Sequence, residues 1–397
     1  MRKIIRNMRV NNIAYRLSME AKILTYSQFL LWINYYLVNP FFSLYFVNNG
    51  LSSDLLGVIL GARTVSFSVG MIIGGAISDI YNTRKITTYT LFISSILYLV
   101  LSTTNIHYFT FIFILIGLFG GIAFSSESKL IVMYSSKDNR LTVFSIMRTV
   151  ITLSSIVYPI LLYKVFADNY YSFIYFSAVT YLSYSILLML ILKNHRHVTN
   201  MKISPENVAK SIFSYIYVLK NKNFLATFAV ICLSFTSCYF IETTLPLYLK
   251  NQSDHYAFYY SLVISISAYS AIGFQLFIFP FIKKINSKIL FFIGNLLLLF
   301  GFSILFGLSK QYLIGLIIIV LGRVLLTPSA LVMLVDHAEP DHYAKYLTIS
   351  NLRLPMAQSL SSILGFFIAS KYGADNMILL YITMSVATIF SMIFVYL

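Results

Sequence analysis

Twelve runs of about 20 or more mostly apolar residues follow one another along this 397-residue chain, and no water-soluble fold of that length could bury them all. They fall at roughly 23–48, 55–79, 86–104, 107–131, 141–166, 170–192, 223–249, 256–282, 288–308, 311–335, 344–370 and 375–396. At about 1.5 Å per residue, each is long enough as a helix to cross the hydrocarbon of a bilayer. Charged residues make up 11% of the chain and hydrophobic ones 58%, with a mean hydropathy of +0.80, which excludes the soluble classes. The expected fold is an all-α polytopic membrane protein with twelve transmembrane helices and the lipid bilayer as its surroundings. The apolar run after Lys22 is too long for a cleavable signal and lacks a small-residue cleavage site. Cys232 and Cys238 share one run and form no disulfide framework or metal spacing, so neither a metal nor a cofactor is expected.

The net charge of +16 suggests nucleic acid until its placement is followed. An even number of crossings puts both termini on one face, and 21 of the 29 Lys and Arg fall there, against four on the other face. That bias predicts cytoplasmic termini and makes the charge a topology signal, with no nucleic-acid partner. The chain then divides into a basic tail (1–22), a first six-helix half (23–192), a polar cytoplasmic linker (193–222) and a second half (223–397). The tail carries Ile4, Ile5, Met8, Ile13 and Leu17 among its charges, as a topology anchor or a short amphipathic helix on the inner leaflet. A surface helix is expected within the linker near Pro205 to Leu219, and His195 and His197 are too few for a metal site.

The halves resemble each other. Leu-Ser-Ser-Ile at 153–156 recurs at 360–363 and Ala-Asp-Asn at 167–169 recurs at 374–376, both 207 residues on. Arg148 and Arg353 take related places 205 apart. Two parallel six-helix repeats put a binding site between them, near mid-membrane.

Charges inside the runs need a reason, because each costs roughly 2.5–3.5 kcal/mol at the bilayer centre on insertion scales. They are Arg63, Arg148, Arg323, Arg353, Glu127 and Glu242. Glu127 is placed to pair with Arg148 on the next helix. Glu242 has no cation in its own run and continues a polar stripe through Ser234 and Cys238 at four-residue steps. A carboxyl held in low dielectric takes up protons more readily than one in water, so Glu242, with Glu127 second, is the expected proton-coupling group. Asn34 and Tyr35 in the first run, with the four arginines, are the expected substrate-binding residues. The surplus of cations predicts an anionic or zwitterionic substrate; the competing reading is that the arginines cap helix ends and backbone carbonyls outside the cavity.

Gly75, Asp79, Arg84 and Lys85 match the loop between helices 2 and 3 of the major facilitator superfamily. Ile80 replaces that motif's first basic residue, and Asn82, a residue tolerant of left-handed turns, its second glycine. Phe240-Ile241-Glu242-Thr243 followed by Leu245-Pro246-Leu247-Tyr248 resembles helix 7 of the bacterial drug:proton antiporters, and Gly57 to Lys85 resembles their second helix. The resemblance implies a monomeric, proton-coupled exporter of a small organic molecule in the bacterial inner membrane, with the Asp79 loop as gating motif. Helix 5 departs from the pattern: Ser155 to Pro159 keeps only the proline of the exporters' Gly-Pro motif. Proton-linked import of a peptide or carboxylate is the alternative within transport. A polytopic membrane enzyme is the alternative outside it, using Asp336, His337, Glu339, Asp341 and His342.

Overall fold

The computed structural model describes residues 18–48, 52–103, 106–135, 140–161, 170–192, 213, 215–252, 255–273, 285–307, 312–339 and 343–396. The regular elements there are helical. They run α1 (Met19–Tyr26), α2 (Gln28–Asn48), α3 (Ser53–Ile80), α4 (Thr83–Leu101), α5 (Ile106–Tyr134), α6 (Arg140–Leu161) and α7 (Tyr170–Ile191). After a 3-10 helix at Tyr215–Lys220 come α8 (Lys222–Cys238), α9 (Phe240–Thr243), α10 (Leu245–Gln252) and α11 (Tyr256–Gly273). The chain ends with α12 (Ser287–Gly307), α13 (Tyr312–Val335), α14 (Tyr343–Asn351), α15 (Arg353–Tyr372) and α16 (Ala374–Tyr396). The basic tail before Ser18 and most of the linker, including the start of its expected helix, lie outside the described residues.

Each expected run coincides with a helix or a broken helix. Seven segments, in α3, α5, α7, α12, α13, α14 to α15, and α16, are long and apolar enough to cross a membrane by length and composition. The others are shorter, broken, or richer in Tyr, Asn, Ser and Thr. Their hydroxyls turn back onto their own helices, as Thr87 Oγ1 donates to the Thr83 carbonyl at 2.9 Å, which satisfies the polar group without water.

Three runs expected to be continuous are interrupted. The run at 23–48 breaks at Ser27, between α1 and α2. The run at 223–249 breaks around Tyr239 and again at Thr244, just before Pro246. Proline has no N–H, so the Glu242 carbonyl loses its helical donor, and the ring disfavours helix at the residue before it. The run at 344–370 breaks at Leu352, before Pro355, for the same reason.

Close backbone seams fix the helices that carry the charges. A Cβ on Gly121 would stand 2.0 Å from the Phe67 carbonyl oxygen, and one on Gly117 would stand 2.4 Å from that of Arg63. Gly70 and Gly74 meet the backbone of Leu118 and Ile122 in return, so α3 and α5 cross through small residues on both sides. Gly294 and Gly301 meet Gly322 and Gly315 in the same way between α12 and α13. Gly121→Ala is therefore expected to force the two backbones apart and cost about 1–3 kcal/mol, as overpacking does. A lower thermal unfolding midpoint in detergent than wild type checks this.

Helices α1 to α7 pack among themselves, as do α8 to α16. The two sets meet where α3 lies along α15, α6 along α11, and α9 and α10 against α2. At the first of these, Gly57 faces Phe366 and Ser362, and Ser359 donates its hydroxyl to the Gly61 carbonyl at 3.2 Å.

Candidate functional site

The break around α9 puts Glu242 on a short segment that is anchored on both sides. Thr243 hydrogen-bonds the Ser361 hydroxyl at 3.0 Å, Thr244 that of Tyr381 at 3.0 Å, and Ser361 and Tyr381 meet at 2.9 Å. Gly365 leaves room for this cluster, since a Cβ there would lie 2.4 Å from the Tyr381 hydroxyl. Glu242 itself receives Arg323 from the middle of α13, Nη2 to Oε1 at 2.5 Å. The guanidinium also lies over the Tyr239 ring, 5.7 Å from its centroid. The Arg323 and Glu242 side chains keep 24% and 16% exposure, so the pair borders open space and is not sealed in protein. Glu242 indeed has no cation in its own run; its partner comes 81 residues later from another helix. Tyr35 of α2 stands within electrostatic reach of Glu242, Arg323 and Arg63, which brings both sets of helices to this point.

A second cluster lies among the first seven helices. Glu127 of α5 is 7% exposed and accepts from Gln28 Nε2 at 2.7 Å and from the Tyr184 hydroxyl. Trp32, one turn beyond Gln28, donates its ring N–H to the Gln28 amide oxygen at 3.1 Å. No arginine or lysine among the described side chains contacts Glu127. The Arg148 side chain, its expected partner, lies outside the described ones. These residues end a cavity of about 60 Å³, also lined by Tyr35, Phe67, Phe124, Tyr181 and Arg63. Arg63 is 6% exposed, with its guanidinium over the Phe113 ring at 5.2 Å.

Arg353, 4% exposed, donates to the Ser350 carbonyl at 2.6 Å and lies near the Phe235 ring, with no carboxylate beside it among the described residues. Its Nε–H is buried and unsatisfied. Asn34 is fully buried, takes the Ser177 hydroxyl at 2.9 Å, and does not line the cavity.

Side chains in and around the loop motif cap helix ends within the first set. Asn82 does not adopt a left-handed turn; at φ −60° it is the N-cap of α4 and accepts from the Lys85 backbone N–H. Thr83 and Lys129 both donate to the Ser78 carbonyl at the end of α3. Arg84 reaches the last carbonyls of α7, Leu188 at 3.3 Å and Met189, which suits a cation at a helix C-terminus. Gly75 faces the Tyr215 hydroxyl of the linker, and the Asp79 side chain lies outside the described ones. The polar turn after α13 holds no cluster of three or more metal-binding side chains among the described residues. There His337 meets Thr227, and Glu339 accepts from Tyr217.

Sequence reasoning missed Trp32, Tyr181 and Tyr184 as site residues. A signal for the first was present: Gln28, Trp32 and Tyr35 share one face of an otherwise apolar run at helical spacing.

A family model, the Major Facilitator Superfamily, matches residues 24–273. No curated protein matches the chain in sequence. Solved structures share its fold. The nucleoside transporter NupG superposes with a TM-score of 0.73 at 17% identity, covering 96% of this chain and 99% of that one. A POT family transporter in complex with 5-aminolevulinic acid gives 0.77 at 17%, covering 94% of each. Peptide transporter POT in complex with sulfate gives 0.74 at 14%, covering 97% and 96%.

Proposed function

We propose that this chain, which belongs to the Major Facilitator Superfamily, is a proton-coupled symporter of a small anionic or zwitterionic molecule. The family makes it a multi-pass secondary transporter. The finer reading is twelve crossings in two six-helix halves that rock about a central site, with both termini in the cytoplasm. One observation carries the mechanism: the partly exposed ion pair of Glu242 and Arg323, with Tyr35 of the first set in electrostatic reach.

An anion that binds Arg323 must displace the Glu242 carboxylate. Left alone, that half-buried carboxylate loses its counter-charge, and a proton removes the penalty. Anion and proton therefore favour the same state, and by linkage each raises the affinity for the other. Carried together, they make symport. Arg353 adds a buried guanidinium with an unsatisfied N–H and no carboxylate, a second place for an anionic group. Charge-assisted hydrogen bonds contribute about 1.5–3 kcal/mol. Arg353→Gln is thus expected to weaken binding of anions roughly tenfold to a hundredfold, with little effect on neutral analogues, measured by calorimetry on purified protein. Equal losses for both would remove Arg353 from recognition.

Solved fold neighbours that carry nucleosides and peptides support a small organic solute, and at 14–17% identity they support no particular one. Purified protein in vesicles, with proton gradients of each polarity and cationic, neutral and anionic compounds, tests the reading. Anions are expected to accumulate on the side toward which protons flow. Accumulation against proton flow would instead support the second reading, proton-exchanging export, which rests on the likeness of Gly57 to Lys85 and Phe240 to Tyr248 to drug:proton antiporters.

A further inference from the structure

The Glu127 cavity plays no part in the ion-pair mechanism, and its chemistry differs from that of the Arg323 site. Its acid is almost fully buried, held by an amide and a phenol, and neutralised by no cation among the described residues. A carboxylate in that position needs a positive partner from outside the described side chains, and a proton or the charge of a ligand can supply it. The walls favour the ligand. Trp32 and Phe124 meet edge to face at 6.2 Å, and Phe67–Phe124 at 5.8 Å and Tyr35–Phe67 at 6.1 Å are tilted pairs, so rings follow one another along one side at steep angles. Aromatic faces beside a carboxylate attract an organic cation through the ring quadrupole as well as the charge. A bare metal ion finds little there, since Glu127, Gln28 and Tyr184 supply few of the oxygen ligands that hard cations take.

We propose that this cavity is a subsite for a small ammonium group, held by Glu127 and enclosed by Trp32, Tyr35, Phe67, Phe124 and Tyr181. At about 60 Å³ it has room for the end of a molecule, such as an aminomethyl arm, and not for a whole drug. Tyr35 lines the cavity and also stands in reach of the Glu242–Arg323 pair, so one solute could span both places. Resting on the transport reading in that respect, the subsite selects, from the substrates allowed above, those that carry an amine as well as an anion. Arg63 on the same wall orients such a molecule by keeping its positive end toward Glu127.

Trp32 is the only tryptophan in the chain, so its fluorescence reports on this cavity alone. Full-length protein in detergent is titrated with ethylammonium chloride, and separately with ethanol, sodium acetate and sodium chloride at matched ionic strength. A saturable change is expected with ethylammonium only. Glu127→Gln, which keeps shape and hydrogen bonding but not charge, is expected to raise the half-saturating concentration at least tenfold, and Glu127→Asp to raise it less. No saturable change in wild type, an equal change with sodium or acetate, or an unaltered response in Glu127→Gln would overturn the subsite. The salt and acetate titrations decide the matter on wild type even if the variants fold poorly. Because only binding is read, a failure here leaves symport standing, and ammonium binding without proton-driven transport would leave the subsite and remove symport.

Discussion

Glu242→Gln is expected to abolish accumulation driven by a proton gradient while leaving binding and downhill exchange of an anionic substrate intact. Glutamine keeps the size and hydrogen bonding of the side chain but neither carries the charge that holds Arg323 nor gains a proton. Arg323 is then free for the anion at every pH, and the anion no longer brings a proton with it. The accumulation ratio should fall to about one, and the proton taken up per anion bound, read with a pH dye in weak buffer, should disappear. Affinity for the anion at alkaline pH should rise, since the competing carboxylate is gone. Normal accumulation in this variant would remove Glu242 from coupling and turn attention to Glu127.

Gly57→Leu is expected to stop turnover nearly completely for a different reason. A Cβ at Gly57 already lies 2.8 Å from both the Phe366 Cβ and the Ser362 carbonyl oxygen, and one of these is backbone. A leucine cannot be absorbed by a rotamer change there. The first turns of α3 and the facing part of α15 must separate, and a carrier unable to close on that side cannot complete its cycle. Transport should drop by roughly two orders of magnitude or more, on the scale of a several-kcal/mol penalty against the closed state, while substrate still binds. A membrane-impermeant maleimide should reach Cys238, which lies beside the Glu242–Arg323 pair and is 1% exposed, if the separation of α3 from α15 opens a path to it. Wild-type turnover, or a protected Cys238, would show that this contact is not the closure.

Positions of the helices were legible because period and apolar length are local properties of a sequence. The breaks at Thr244 and Leu352 were legible in principle too, since Pro246 and Pro355 announce them. Pairings were not. Glu242 finds its cation 81 residues away, and Glu127 finds donors 99 and 57 residues away, through helix rotations that no single run encodes. The expected Glu127–Arg148 pair rested on neighbouring helices at equal depth, and the Arg148 side chain lies outside the described ones. Arg63, Arg323 and Arg353 were identified as cations inside the runs; Arg63 and Arg353 are buried and Arg323 is half-buried. Their different circumstances, above a ring, in an ion pair, and beside a lone carbonyl, belong to packing.

Arg84 holding the end of α7 bears on how the protein is made. That contact joins residues about 104 positions apart, from the start of α4 to the end of α7. Ser154 to the Phe29 carbonyl ties α6 to α2 and Ser177 to Asn34 ties α7 to α2, and all three contacts close before residue 193 is added. The first set of helices has every one of these partners in the membrane before the ribosome reaches α8. It can therefore assemble and lock while the second is still being synthesised, and a chain arrested in the linker should leave a finished half and not a loose string of spans.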